Sequence, residues 1–267
     1  MQCTVVTLLT DFGTRDGYAA AMKGVLLSRA PGAGIVDAAH DIPPHDVAAA
    51  AWALGQYWRF FPAGTIHVAV VDPDVGTLRA ILLVEADGHF FLAPDNGLLT
   101  WVLRQARHVV LRRLKEGVHR GEVSATFHGR DIMAHAAGLL ASGQATPAEL
   151  GEDIREIVLP AWAAVERVDD GLRGLIVHVD RFGNLITNIQ KHQALESVGA
   201  AFVASAGRFS GIPARRTYAD APAGELIALF GSSDTLELAV SGGSAAERTG
   251  LARGEPVLLQ PSLKIEG

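Results

Sequence analysis

Apolar positions fall in short unbroken runs through the first half of the chain and in alternating order through the second. Val5–Thr10 is a short β-branched and leucine run, Thr65–Val71 a continuous apolar one, Ala80–Glu85 and His89–Ala93 are two more of strand length, and Gly34–Asp37 is a briefer one. Asp87-Gly88, between two of these runs, is a hairpin turn signal. Between strands, Asp16–Arg29 has helical character and stops at Pro31-Gly32, and Asp46–Phe60 predicts a helix capped by Asp46. Strands apolar on both faces that alternate with helices predict an N-terminal α/β sheet domain with helices on both faces. From Pro160–Gly174 onward the helical runs give way to Leu175–Val179, Leu185–Ile189, Ala201–Ala204, Leu226–Phe230, Leu236–Val240 and Pro256–Gln260, separated by Gly, Asn, Asp and Ser clusters. That pattern predicts a smaller C-terminal antiparallel β-barrel-like domain. The expected division is an α/β domain over 1–165 and a β domain over 166–267, without internal repeats.

Composition narrows the class. With 267 residues, 49% apolar and 19% charged, the chain has ample material for a core and does not read as disordered. The formal charge of −6 argues against a nucleic-acid partner, which calls for a basic stripe. The nearest such cluster, Arg112, Arg113 and Lys115, reads as the basic end of a helix. Cys3 is the only cysteine, so neither an intrachain disulfide nor a cysteine-rich metal site can form. The amino terminus lacks a basic leader with a cleavage site, and no run approaches the ~20 apolar residues that cross a bilayer. A cytoplasmic protein without a membrane partner is expected.

Three strand runs are followed by an acidic residue, Asp11, Asp72 and Asp95, at the ends where open α/β sheets place their ligand crevice. An Asp in that position also serves to start a turn or cap a helix. In Asp72-Pro-Asp-Val-Gly-Thr-Leu-Arg79 a glycine turn lets Arg79 fold back onto Asp72 as a bidentate partner, for catalysis or for bracing the loop. In Thr126-Phe-His-Gly-Arg-Asp131, His128 precedes an apolar helix expected to begin near Ile132, where main-chain donors favour anions. A structural histidine would look the same. His40, Asp41, His45, Asp46, Asp72, His128, Asp131 and His135 raise the question of a metal but match no compact signature. His128 and His135 could share a helix face, with Arg130 between them. Neither a G-x-S-x-G elbow nor a G-x-G-x-x-G fingerprint is present.

Six stretches, LLTDFGTRDGYAAAMKGV, VVDPDVGTLR, APDNGLL, TFHGRD, VDRFGNLITNI and GSSDTLELAV, occur in the order found in the S-adenosyl-L-methionine (SAM) hydrolases that form adenosine. The chain resembles this SAM hydroxide adenosyltransferase family, relatives of the SAM-dependent fluorinase and chlorinase. The resemblance implies metal-independent hydrolysis of SAM to adenosine and methionine, with no cofactor, in a homotrimer whose ligand sites lie between subunits. It places the catalytic set on Asp72, Arg79 and His128, and a ribose contact on Asp11. It puts further substrate contacts on Asn96, Asp180, Phe182 and Asn184, and on Ser232, Ser233, Glu237 and Val240 near the methionine or adenine.

There are departures from the family pattern. Asp74 stands where the family usually has Gly, Met133-Ala-His135 where it has Phe-Ala-Pro, and Gly242-Gly-Ser where it has a Gly-Asn pair. An extra carboxylate at Asp74 could raise the Asp72 pKa or repel hydroxide. Gly129 follows His128, whereas the halogenases use a small hydroxylated residue for halide, which favours water as the nucleophile. A non-catalytic SAM- or adenosine-binding protein, a SAM-dependent halide transferase, and a metal-dependent hydrolase of a phosphorylated nucleoside are the rival readings.

Overall fold

The computed structural model describes residues 4–119 and 121–262, so Cys3 lies outside the described residues. The chain divides into two compact units, Met1–Leu159 and Pro160–Gly267.

The first unit holds a seven-stranded sheet: β1 (Val5–Thr10), β2 (Gly34–Ala39), β3 (Ile66–Val70), β4 (Ile81–Ala86), β5 (His89–Pro94), β6 (Val109–Leu114) and β7 (Gly151–Asp153), in the spatial order β2-β1-β3-β5-β4-β6-β7. The first four in that order run parallel, and β4, β6 and β7 extend the sheet antiparallel. Side chains alternate faces along each strand. Val6, Leu8, Val68 and Val70 pack with Met22 and Leu26 of α1 (Tyr18–Arg29) and with Ala136 and Ala137, later in the chain. Their neighbours Leu9, Ala69 and Val71 pack on the opposite face with Ala50 and Leu54 of α2 (Val47–Tyr57) and Val102 of α3 (Thr100–Gln105). Helices therefore cover both faces, and each fully buried aliphatic side chain contributes roughly 1.5–3 kcal/mol.

Asp46 caps α2 by accepting the Ala49 N–H at 2.9 Å. The helix stops at Tyr57, and Trp58–Phe60 tighten into a 3₁₀ turn. The helix expected near Ile132 begins earlier, as a π turn over Gly129–Met133 that runs on into α4 (Ala134–Ala141). Such wide turns recur at functional sites. One expectation is corrected. Arg112 and Arg113 lie on strand β6, not at a helix end, where Arg112 pairs with Glu85 and Asp153 and Arg113 with Glu152. A basic pair between leucines suits a strand whose partners carry the opposite charge. Only Lys115, beyond the strand, reaches a helix terminus: its Nζ donates to the Ala148 and Glu149 carbonyls of α5 (Pro147–Leu150).

The second unit is an antiparallel sheet of eight strands: β8 (Glu166–Val168), β9 (Gly171–Val179), β10 (Leu185–Gln190), β11 (Phe202–Ala206), β12 (Phe209–Pro213), β13 (Leu226–Phe230), β14 (Thr235–Val240) and β15 (Pro256–Pro261). The order is β12-β11-β15-β9-β10-β14-β13, with β8 added on β9. A bridge between Ala214, just past β12, and Ala228 of β13 draws the two edges together into a nearly closed barrel. Inward-facing Leu172, Ile176, Leu185, Ile189, Leu236 and Leu238 fill it. No helix among the described residues is long and apolar enough to cross a membrane.

Candidate active site

Strand pairing in the first unit sets Thr10 of β1 opposite Val70 of β3, so the loops carrying Asp11 and Asp72 leave the sheet side by side. Together with the segment Thr126–Gly129 they enclose a cavity of about 300 Å³. Asp11, Phe12, Tyr18, Pro44, His45, Asp72, Val75, Phe127 and His128 line it. Three of these were not legible as a set. The rings of Phe12, Tyr18 and Phe127 meet edge to face with centroids 5.5–5.9 Å apart, and form an apolar part of the cavity lining. Their spacing of six and 109 positions in sequence gives no local signal.

Arg79 folds back onto Asp72 in a side-on fork. Its Nε donates to Oδ1 at 2.5 Å and its Nη2 to Oδ2, with both side chains more than nine-tenths buried. The same Nη2 donates to Nδ1 of His128 at 3.1 Å. A guanidinium has only donors, so Nδ1 must accept, and the proton of the neutral ring sits on Nε2. Burial lowers the His128 pKa, and the Arg79 charge lowers it further, against the opposing pull of Asp72 and Asp131. Asp131 anchors the segment from below by accepting the Ser124 N–H at 2.9 Å and the Arg130 guanidinium.

Asp11 accepts the main-chain N–H of His45 at 2.8 Å with Oδ2, and His45 adopts a left-handed φ of 66° at the cavity rim. Asn96 does not line the cavity. Its amide donates to the Val71 carbonyl at 2.9 Å and accepts the Leu98 N–H at 3.2 Å, which braces the residue just before Asp72. Asp95 is likewise spent on structure, accepting the Val158 N–H at 2.9 Å. Asp74 is exposed and lines neither Asp72 nor the cavity. His135 is buried in α4. Among the described residues no group of three or more His, Cys, Asp or Glu is placed to hold a metal ion.

In the second unit Asp180 organises the turn between β9 and β10. Its Oδ1 accepts the N–H groups of Phe182 and Asn184, and its Oδ2 the Asn184 amide, each at 2.9 Å. Gly183 closes that turn at φ 80°, where a Cβ would lie 2.0 Å from the Ser244 hydroxyl. Phe182 is left 77% exposed. Glu237, on β14, is buried and accepts the phenol proton of Tyr218, a residue the sequence reading missed. Burial raises the Glu237 pKa, as does the charge of Asp180, and the Tyr218 hydrogen bond opposes them. Ser232 is exposed and Ser233 half-buried in the turn before β14. Val240 points into the barrel core.

Residues 6–151 match the family model of the SAM hydroxide adenosyltransferase N-terminal domain, and residues 174–258 that of its C-terminal domain. The chain is 40% identical to an (R)-S-adenosyl-L-methionine hydrolase of Thermus thermophilus, over 95% of this chain and 98% of the relative. It is 31% identical to a fluorinase of an Actinoplanes species, over 74% and 75% of the two chains. A crystal structure of an uncharacterized conserved protein from Thermotoga maritima superposes with a TM-score of 0.83 at 28% identity, covering 96% of this chain and 99% of that one. Matching domains in the same order, along most of the chain, place this protein in the SAM hydroxide adenosyltransferase family.

Proposed function

We propose that the protein hydrolyses SAM to adenosine and L-methionine, with water held by Asp72, Arg79 and His128 as the nucleophile. The observation that carries the reading is the continuous chain from the Asp72 carboxylate through Arg79 to Nδ1 of His128, at the wall of a cavity that also presents Asp11.

The sulfonium makes the 5′ carbon of the substrate electrophilic. The water oxygen bonds to that carbon, the carbon–sulfur bond breaks with its electron pair going to sulfur, and methionine leaves as a neutral thioether. One water proton is released. Bulk water, with a pKa of about 15.7, gives up that proton reluctantly. Because Arg79 occupies Nδ1, His128 offers Nε2–H as a donor to the nucleophile oxygen rather than acting as a base. Asp72 holds the fork in register and is the nearest carboxylate to take the proton. Holding oxygen and carbon in attack geometry removes roughly 7–11 kcal/mol of barrier in favourable cases. Hydroxide and sulfonium cancel charge as they meet, so a partly dry, aromatic-walled cavity favours the transition state.

Asp11 suits the two ribose hydroxyls. Asp180 suits the ammonium of the methionine moiety, Ser232 and Ser233 its carboxylate, and Phe182, Asn184 and Glu237 complete the substrate contacts, whereas the Val240 side chain is taken up in the barrel core. Asn96 serves by fixing Val71. The resemblance also supports a cytoplasmic homotrimer that needs neither cofactor nor metal.

Chromatography of protein incubated with SAM tests the reading. Adenosine and methionine in equal amounts, unaffected by chelator or by high chloride, are expected. Intact SAM would leave a binding role, a chlorinated nucleoside would make the protein a halide transferase, and chelator sensitivity would bring back a metal.

The tautomer sets the pH dependence. Acidification puts a proton on Nδ1 of His128, facing the guanidinium, and breaks the Arg79 contact. Burial and Arg79 hold the His128 pKa below the ordinary imidazole value of about 6.5. Turnover is therefore expected to stay level or rise with pH above about 6.5, and to collapse only on the acid side of that value. An acid limb centred above 7 would contradict a neutral donor at His128.

A further inference from the structure

Asp11 and Phe12 line the cavity from the start of the loop that joins β1 to α1, and that loop must keep its shape while ligand is exchanged. The main chain supplies part of the support: Gly13 N–H donates to the His40 carbonyl at 2.7 Å. The rest comes from side chains that play no part in the mechanism above. Phe12 N–H donates to Thr10 Oγ1 at 3.2 Å. Thr10 Oγ1 lies 2.9 Å from Nδ1 of His40, and His40 Nε2 lies 2.9 Å from Asp37 Oδ1. Lys23 Nζ, from α1, donates to the other Asp37 oxygen at 2.6 Å.

These hydrogen bonds are mutually compatible. Asp37 accepts from His40 Nε2–H, Thr10 Oγ1 and His40 Nδ1 share one hydrogen bond whose donor is the hydroxyl when Nδ1 carries no proton, and a hydroxyl lone pair accepts the Phe12 N–H. Burial alone would raise the Asp37 pKa, but the hydrogen bonds from Lys23 and His40 outweigh it and keep the carboxylate charged. The order of groups imitates a nucleophilic Asp-His-Thr triad. Thr10 is fully buried, however, lines no part of the cavity, and has its hydroxyl held by both His40 and Phe12. It cannot reach a substrate.

We propose that Asp37, His40 and Thr10, anchored by Lys23, form a positioning relay that holds the Asp11–Phe12 loop in its ligand-binding shape. The relay links strand β2 and helix α1 to the cavity, and it acts on affinity rather than on the chemical step. This inference rests on Asp11 as the ribose contact.

Two sets of variants test it, with KM and kcat for SAM measured on the full chain and thermal unfolding recorded for each. His40→Asn keeps an acceptor where Nδ1 stood, while His40→Gln keeps a donor where Nε2 stood and abandons Thr10. Thr10→Val removes the hydroxyl at constant shape, and Thr10→Ser restores it. Thr10→Val and His40→Gln are expected to raise KM about tenfold with kcat within about twofold of wild type, the scale of one or two lost hydrogen bonds. Thr10→Ser is expected to stay within about threefold of the wild-type KM, and His40→Asn, which keeps the Thr10 contact but gives up Asp37, to fall between wild type and His40→Gln. If Thr10→Val fails to fold, the contrast between the two His40 variants decides. Equal KM values for His40→Asn and His40→Gln, or a fall in kcat at unchanged KM, would overturn the relay. Asp11→Asn separates the two ideas. A raised KM there with a wild-type KM in Thr10→Val defeats the relay alone, while an unchanged KM in Asp11→Asn removes the ribose contact and the relay with it.

Discussion

Replacing Asp72 by Asn is expected to cut turnover by about 10²–10⁴-fold, the range that a positioned proton acceptor supplies, while SAM binds within about threefold of wild type. Asn keeps the shape of the side chain but presents an amide N–H to a guanidinium that can only donate. The fork from Arg79 then loses a partner, and with it the alignment of His128 Nδ1. Asp72 and Arg79 are buried, so the variant also leaves a charge uncompensated, which costs about 3–5 kcal/mol in comparable pairs. Turnover must therefore be compared with calorimetric SAM affinity at a temperature where both proteins are folded. Wild-type turnover in Asp72→Asn would remove the water-holding set as the seat of catalysis.

Gly76→Ala is expected to do comparable harm without touching a catalytic side chain. Gly76 turns the loop between Asp72 and Arg79 at φ 84°, and a Cβ there would lie 2.5 Å from the carbonyl oxygen of Ala125. The left-handed conformation costs a non-glycine residue roughly 1–2 kcal/mol. The clash with main chain cannot be relieved by rotating a side chain. Moving the loop to escape it shifts Asp72 and Arg79 on one side, or Ala125 and the adjoining His128 segment on the other. A total on the order of 3 kcal/mol is expected. A displacement of about 1 Å in the reacting groups costs roughly 10²-fold in turnover. Scanning calorimetry and steady-state kinetics on the variant check both parts, and an unaltered melting temperature with unaltered turnover would show that the loop is slack.

What the sequence makes legible follows from the range of each interaction. β1 and β13 are recovered at their boundaries because short, largely apolar runs bounded by polar and glycine residues fit a buried strand, and the Asp87-Gly88 turn because it needs left-handed backbone at both residues. Arg79 on Asp72 is readable from eight consecutive residues of one loop. The basic pair on β6 is misplaced because its partners, Glu85, Glu152 and Asp153, come from strands distant in sequence. The same holds within the cavity. Phe127 meets Phe12 and Tyr18 only once α4 and the π turn before it have packed against α1, and Tyr218 finds Glu237 only across the barrel. His40 was visible as one histidine among several metal candidates; its actual partners, Thr10 and Asp37, are set by the parallel pairing of β1 with β2. Asn96 carried a ligand-contact expectation, yet both ends of its amide are used on main chain.

The most direct test is to run the reaction in water enriched in ¹⁸O and weigh the products. If water held by Asp72, Arg79 and His128 attacks the 5′ carbon, one heavy oxygen enters adenosine at its 5′ hydroxyl and none enters methionine. Adenosine without the label, or heavy oxygen recovered in methionine, would mean that bond breaking follows another course, and the assignment of these residues to water would fall.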